Sequence, residues 1–119
     1  MHAEKRIDYV EIPVTDPAKA QAFFESLFGW EFQSWGDDYI SFKDGRLDGG
    51  FVRSASPAAG TLIVFYSGDL ERDRARVVEL GATISKDIFS FPGGSRFQFV
   101  DPTGTEYAIW SEVGGEPTE

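Results

Sequence analysis

The feature that most constrains this chain is an internal repeat, in which a strand, a helix and three further strands occur twice in the same order. The first copy opens with the alternating, β-branched stretch IDYVEIPV at 7–14, which predicts a strand. Asp16 and Pro17 suit a helix N-cap and a first helical turn, and Gly29 is placed to end that helix. Turn residues then separate predicted strands at 31–35, 39–43 and 50–53.

The second copy follows the same order. It has a predicted strand at 61–67, an Asp69 N-cap, a helix and a stop at Gly81. The distance from cap to glycine differs between the two copies by only one residue. Three more strands are predicted at 82–89, 96–100 and 106–111. The sequence therefore predicts two βαβββ modules, and hence an α+β fold.

The repeat also sets the predicted domain organisation. One domain is expected over 6–112, with modules at 6–53 and 61–112, a small polar link at 54–60 and a flexible tail at 113–119. Each sheet needs cover on the face away from its helix, which favours an incomplete barrel enclosing a cup. The modules can pair within one chain or across a dimer. A ferredoxin-like dimeric barrel is disfavoured, because it has two strands after the first helix.

Composition narrows the possible partners. The 119 residues include 41% hydrophobic side chains, enough for a core, and no cysteine for disulfides or thiolate ligands. A net charge of −9 disfavours binding to nucleic acid. No apolar run is long enough to span a bilayer, and the first residues lack the apolar core of a signal peptide. We therefore expect a cytoplasmic protein without a nucleic-acid or membrane partner.

Three stretches resemble one known family: IPVTDPAKAQAFFESLFGW, the turn DGGF at 48–51, and FVDPTGTEYAIW at 99–110. They are similar to the glyoxalase/bleomycin-resistance group of the vicinal oxygen chelate superfamily, over residues 6–112. The resemblance implies paired βαβββ modules. In its enzymes, such as isomerases and extradiol dioxygenases, four His, Glu or Gln side chains hold a divalent metal in the cup. Relatives without a metal bind and sequester drugs such as bleomycin.

The metal-ligand positions that the resemblance implies carry poor ligands here. They fall on Tyr9, Ile63, Ala108, and either Gly50 or Phe51. Apart from the tyrosine, these residues have no donor side chain, and a phenol binds metal well only when its pKa is strongly lowered. The single histidine, His2, lies in the leading tail and is interpreted as a bystander. No cofactor is expected, although a carboxylate-only site for a divalent cation remains an alternative.

Glu11 is the candidate catalytic residue. Alternation along the first strand places Val10 and Ile12 beneath the helix and directs Tyr9 and Glu11 toward the cup. Burial of a carboxylate among apolar residues raises its pKa toward the range of a general base. The alternative is that Glu11 reaches the rim or pairs with an arginine.

Further candidates form a predicted ligand-binding set with Tyr9: Phe51, Arg53, Ile63, Phe65, Glu106 and Trp110. Arg53 suits an anionic ligand or the neutralisation of Glu11, unless it is a surface residue. Glu106 suits a second polar anchor, unless the neighbouring turn exposes it. Phe65 and Trp110 suit stacking against a flat ligand, or else core packing.

Three functions remain open from the sequence. The leading hypothesis is metal-independent binding of a small organic molecule by a homodimer, in an aromatic cup lined by Tyr9, Glu11, Phe65 and Trp110. The second is an isomerase, lyase or dioxygenase-type enzyme that uses Glu11 as general base or a carboxylate-bound divalent metal. The third is an interaction module whose cup is filled by its own side chains. A Ser–His nucleophile is excluded, since the only imidazole lies in the tail.

Overall fold

The computed structural model describes residues 2–55 and 60–112. The first module contains β1 (Ile7–Val14), α1 (Pro17–Phe28), β2 (Glu31–Ser34), β3 (Tyr39–Lys43) and β4 (Asp48–Arg53). The second contains β5 (Leu62–Tyr66), α2 (Leu70–Glu79), β6 (Thr83–Phe91), β7 (Gly94–Val100) and β8 (Glu106–Glu112). The predicted α+β class and both βαβββ modules are therefore confirmed. Residues 56–59 of the predicted link and the predicted tail at 113–119 lie outside the described residues.

The chain divides by its contacts into two compact units. One comprises Tyr9–Leu62, and the other comprises Ile63 onward together with the residues up to Asp8. The His2 ring stacks on Tyr66 with centroids 5.0 Å apart, and its Nδ1 lies 2.8 Å from Asp8 Oδ2. His2 therefore packs within this unit, and the expectation that it lies in a leading tail is wrong. Its aromatic and carboxylate neighbours are brought together only by folding.

The first unit is a four-stranded sheet in the order β2-β3-β4-β1, with β1 parallel to β4 and the other pairs antiparallel. The helix α1 begins where predicted, because the Asp16 carboxylate accepts from the backbone N–H groups of Ala18 and Lys19. It ends at Gly29, whose φ of 71° is left-handed. Phe24 of α1 stacks on Phe51 of β4, forming an aromatic core on one face of the sheet.

Two glycines that the sequence assigns to a turn lie inside β4. A Cβ atom on Gly49 would overlap the Phe42 ring, and one on Gly50 would overlap the hydroxyl end of Tyr39. The predicted Gly49-Gly50 turn is therefore wrong. Glycine occurs here because aromatic side chains from β3 cross close over β4 on both faces of the sheet.

The second unit repeats the arrangement with the order β5-β8-β7-β6. β5 is parallel to β8, and the remaining pairs are antiparallel. The side chain of Asp69 caps α2 by accepting from the N–H of Arg72. The core beneath α2 is built from Leu70, Phe97, Phe99 and Ile109, with Phe65 among the partly buried residues packed against it.

Membrane insertion of a helix is not supported by this part of the chain. Neither α1 nor α2, the helices within residues 2–55 and 60–112, is long and apolar enough to cross a bilayer.

Candidate functional site

Tyr9, Glu11 and Tyr39 meet on the face of the first unit's sheet that lies opposite α1. Ile12 pairs with Phe51, whose ring packs beneath α1, so Ile12 and Val10 lie on the helix side of β1. Tyr9 and Glu11 alternate with these residues along β1, so they lie on the opposite face of the sheet. The predicted alternation of β1 gives this same arrangement.

A hydrogen-bonded chain joins the three side chains. Tyr39 Oη lies 3.0 Å from Glu11 Oε2 and 2.5 Å from Tyr9 Oη. Because the ring of Tyr39 leans across Gly50, it reaches from β3 over β4 to the side chains of β1. Tyr39 donates its one hydroxyl hydrogen to Glu11, so its oxygen accepts in the contact with Tyr9. We call these three residues the Tyr–Tyr–Glu chain.

The electrostatics of the Tyr–Tyr–Glu chain keep Tyr39 protonated. Burial raises the pKa of its phenol far above the ordinary value of 10.0, and the neighbouring Glu11 carboxylate and Tyr9 raise that pKa further. Tyr39 therefore remains a hydrogen-bond donor throughout the physiological pH range.

Trp35 adds exposed aromatic surface beside the Tyr–Tyr–Glu chain. Its backbone N–H donates to the carbonyl of Tyr39 at 2.9 Å, which makes the two residues cross-strand neighbours. Its indole Nε1–H donates to Ser41 Oγ at 3.0 Å, and the side chain is 58% exposed. The indole ring is thus positioned by its own hydrogen bond and is accessible to a ligand.

Charged residues at the edge of the same face are mostly acidic. The register places Asp48 beside Tyr9, Lys43 beside Asp48, and Glu31 beside Lys43. Together with Glu11, the carboxylates on this face outnumber its lysine.

The positions implied for a divalent metal do not fit one. Tyr9 is held by Tyr39, and the space above Gly50 is filled by the Tyr39 phenol. In the second unit, Ala108 is fully buried and Ile63 has no donor atom. Within residues 2–55 and 60–112, no three His, Asp or Glu side chains are grouped so that they could hold a metal ion.

Two predicted ligand-binding residues of the second unit lie on the wrong face of their strand. Phe65 packs against the core beneath α2, and Ile63 shares its face, since Ile63 pairs with Tyr107, which packs against the same core. Ile63 is also one residue out of register with Tyr9, because Tyr9 lies seven residues before the Asp16 cap and Ile63 lies six before the Asp69 cap. A slip of one residue in a strand exchanges the two faces, so Val64 and Tyr66 lie opposite the helix instead.

Phe51 and Arg53 also lie away from the Tyr–Tyr–Glu chain. Phe51 is 1% exposed and stacks beneath α1, so its expected position on a ligand-binding face is wrong. The guanidinium group of Arg53 donates to Asp38 Oδ1 at 2.9 Å and to the backbone carbonyls of Asp37 and Thr15. It therefore holds the loop that follows β2.

Glu106 and Trp110 lie on the face of the second unit opposite α2. Glu106 Oε2 accepts from Gln98 Nε2 at 2.9 Å and from Ser85 Oγ at 2.7 Å. Trp110 Nε1 donates to Asp8 Oδ2 at 2.9 Å, and the indole packs edge-on against Tyr66. Each of the two residues is thus held by partners within its own unit.

Sequence reasoning missed the central residue, Tyr39, and the polar pair Arg96 and Gln98 on β7. Arg96 Nη2 donates to Gln98 Oε1 at 3.1 Å, and both residues lie on the face opposite α2, on either side of the buried Phe97. Alternation about Phe97 was the available signal for this pair. For Tyr39 the signal was a glycine pair within a strand next to an aromatic strand, which indicates close ring approach.

Comparison of the sequence with known proteins gives the family of the chain. The sequence profile of the Glyoxalase/Bleomycin resistance protein/Dioxygenase superfamily matches residues 6–109. No curated protein is a significant match to the chain.

Solved structures of this superfamily share the fold. A glyoxalase/bleomycin resistance protein/dioxygenase superfamily member from Vibrio splendidus 12B01 gives a TM-score of 0.71 at 17% identity, covering 90% of this chain and 98% of that one. The Mn(II)-bound glyoxalase from Novosphingobium aromaticivorans gives a TM-score of 0.68 at 23% identity, covering 95% of this chain and 40% of that one. Homoprotocatechuate 2,3-dioxygenase from Brevibacterium fuscum, in complex with 3,4-dihydroxyphenylacetate, gives a TM-score of 0.71 at 21% identity. The match covers 90% of this chain and 36% of that one. These likenesses show the fold alone.

Proposed function

Since the chain belongs to the Glyoxalase/Bleomycin resistance protein/Dioxygenase superfamily, we propose that it binds a small organic cation without a metal. The proposed site is the face of the first unit that carries the Tyr–Tyr–Glu chain and Trp35. The observation that carries the proposal is the hydrogen bond from Tyr39 to Glu11 beside an exposed indole. The Glu11 carboxylate thus lies beside the phenol rings of Tyr39 and Tyr9.

A cation suits this site for two physical reasons. Aromatic ring faces carry negative electrostatic potential and attract organic cations, most strongly when the ring is Trp or Tyr. The acidic side chains of the face and the net charge of −9 add a field that favours cations over anions. A neutral or anionic ligand of the same shape receives no such contribution.

Two probes with the same ring and opposite charge test this proposal. Benzyltrimethylammonium is expected to quench the fluorescence of Trp35, and benzoate is expected to leave it unchanged. The Trp35→Phe variant identifies the reporter, and Glu11→Gln is expected to weaken binding of the cation several-fold. Treatment with EDTA should leave the affinity for the cation unaltered. Binding of benzoate with equal affinity, or no binding of the cation, would contradict the proposal.

A second candidate function is proton abstraction by Glu11. It is favoured by the contact between the carboxylate and Tyr39, because a phenol that donates to a carboxylate can hold that carboxylate in position as a general base. In that case Glu11→Gln should retain ligand binding and lose turnover. Full activity of that variant with an identified substrate would remove Glu11 from the mechanism.

We also propose that the protein forms a homodimer through α1. Large apolar side chains on this helix remain exposed in the single chain: Phe23 at 60%, Leu27 at 55% and Phe28 at 59%. Exposed apolar side chains adjacent on one helix favour association, and in a twofold dimer the same patch of each copy would be buried against the other.

A further inference from the structure

The imidazole ring of His2 is surrounded by aromatic and carboxylate side chains of the second unit. It stacks on Tyr66 with ring centroids 5.0 Å apart and lies nearly perpendicular to Trp110, with centroids 4.9 Å apart. Its Nδ1 lies 2.8 Å from Asp8 Oδ2, and its Nε2 lies 3.5 Å from Glu112 Oε1. The Trp110 indole also donates to Asp8 Oδ2 at 2.9 Å. We call Asp8, Tyr66, Trp110 and Glu112 the imidazole site.

The imidazole site has the chemistry to hold a flat cation with two N–H groups. A carboxylate faces each ring nitrogen of His2, so a ring that donates from both nitrogens satisfies both carboxylates, and a protonated imidazole is such a ring. Burial raises the pKa of the Tyr66 phenol, and the charges of Glu112, Glu4 and Asp8 raise it further. The carboxylates thus surround an aromatic surface that itself attracts cations.

The segment that carries His2 is attached through a strained residue. The φ of Lys5 is 62°, a left-handed conformation that costs a lysine free energy. The Lys5 N–H donates to the carbonyl of Tyr66 at 3.0 Å, so this pairing with β5 does not depend on residues 2–4. The Glu4 carboxylate is held by an exposed hydrogen bond, and the His2 side chain is 28% exposed. Release of residues 2–4 would therefore relieve the strain and leave the pairing of β5 in place.

We propose that the imidazole site is a second binding site of this protein, which takes a small imidazolium cation in exchange for the His2 ring. His2 then competes with the ligand from within the same chain. The inference is independent of the proposed function, because it uses other residues in the other unit. A site that is open in only a fraction of the molecules binds with an apparent affinity reduced by that fraction. The His2→Ala variant should therefore bind imidazole tighter than the wild type does.

The exchange can be followed directly, because His2 is the only histidine in the sequence. Perdeuterated imidazole is added in mildly acidic buffer, where it is a cation. The proton resonances of the His2 ring should move from positions shifted by Tyr66 and Trp110 toward those of a histidine in an unstructured peptide. The indole N–H resonance of Trp110 should shift over the same concentrations. In His2→Ala that shift should be half complete at a concentration roughly tenfold lower or less.

Two ring analogues and one variant test which groups recognise the cation. In His2→Ala, 1-methylimidazole, a cation with one N–H fewer, should bind several-fold more weakly than imidazole. Thiazole, a neutral ring of similar size, should leave the Trp110 resonance unchanged. Adding Glu112→Ala to His2→Ala should bring the preference for imidazole over 1-methylimidazole close to one, because the second carboxylate is then absent.

Two results would overturn the proposal. If the His2 resonances of the wild type stay fixed at the highest imidazole concentration, His2 is a permanent structural residue, even when His2→Ala binds the probe. If His2→Ala binds thiazole as well as imidazole, the probe merely fills a cavity. The indole N–H of Trp35 reports the first unit separately, so neither result bears on the proposed function. Should circular dichroism show that His2→Ala is unfolded, the wild-type titration decides alone.

Discussion

Gly50→Ala should damage the Tyr–Tyr–Glu chain through a single added methyl group. The new Cβ would overlap Oη and Cζ of Tyr39, so one of two responses must follow. If the ring stays, the overpacking costs about 1–3 kcal/mol. If the ring swings out, two hydrogen bonds are lost at about 0.5–1.5 kcal/mol each. Both routes predict a loss of about 2 kcal/mol in the free energy of unfolding, measured by urea denaturation.

A double-mutant cycle tests the cause of that loss. In a Tyr39→Ala background the clash is absent, and Gly50→Ala should then be neutral or stabilising by about 0.4–1 kcal/mol, because alanine restricts the unfolded chain. The coupling between the two positions should therefore be about 2–3 kcal/mol. If the two costs instead add to within about 0.5 kcal/mol, Tyr39 does not lie over Gly50 and the account of the site is refuted.

Three further predictions concern the cap, an acidic turn and association. Asp16→Ala should lower the free energy of unfolding by about 1 kcal/mol, whereas Asp16→Ser should retain most of it, since the carboxylate caps α1. Hydrogen bonds from Thr103 and Thr105 hold the pKa of Asp101 below its ordinary 3.8, so its stabilisation is complete above that pH and is lost as the pH falls below it. In Thr103→Val, NMR titration should show this pKa rising toward 3.8. Phe23→Asp should convert the proposed homodimer to monomer in sedimentation, and a wild-type monomer would contradict the dimer.

The binary pattern of the chain was sufficient to predict the modules. Helix starts at Asp16 and Asp69 follow from cap chemistry that acts within one turn, and they appear in the structure at the same residues. The two faces of β1 follow equally from local alternation. These features depend on near neighbours in the chain, which is why sequence reasoning reaches them.

Contacts between distant residues could not be obtained in this way. The partner of Glu11 is Tyr39, on another strand, and its approach depends on Gly50 in a third strand. A glycine pair occurs both in turns and in strands that aromatic rings cross closely. Only the strand register shows which of the two structures the pair adopts. The expected cup position of Ile63 shows the same limit, because an offset of one residue in a strand exchanges its two faces.

The sequence alone therefore determined the repeat, the helix limits and the absence of good metal-ligand side chains at the expected positions. Those properties depend on residue identity and local spacing. Only the tertiary structure decided that Tyr39 fills the space above Gly50 and hydrogen-bonds with both Tyr9 and Glu11. That outcome depends on strand register and on the direction of a long side chain, which are fixed when the strands pair and pack.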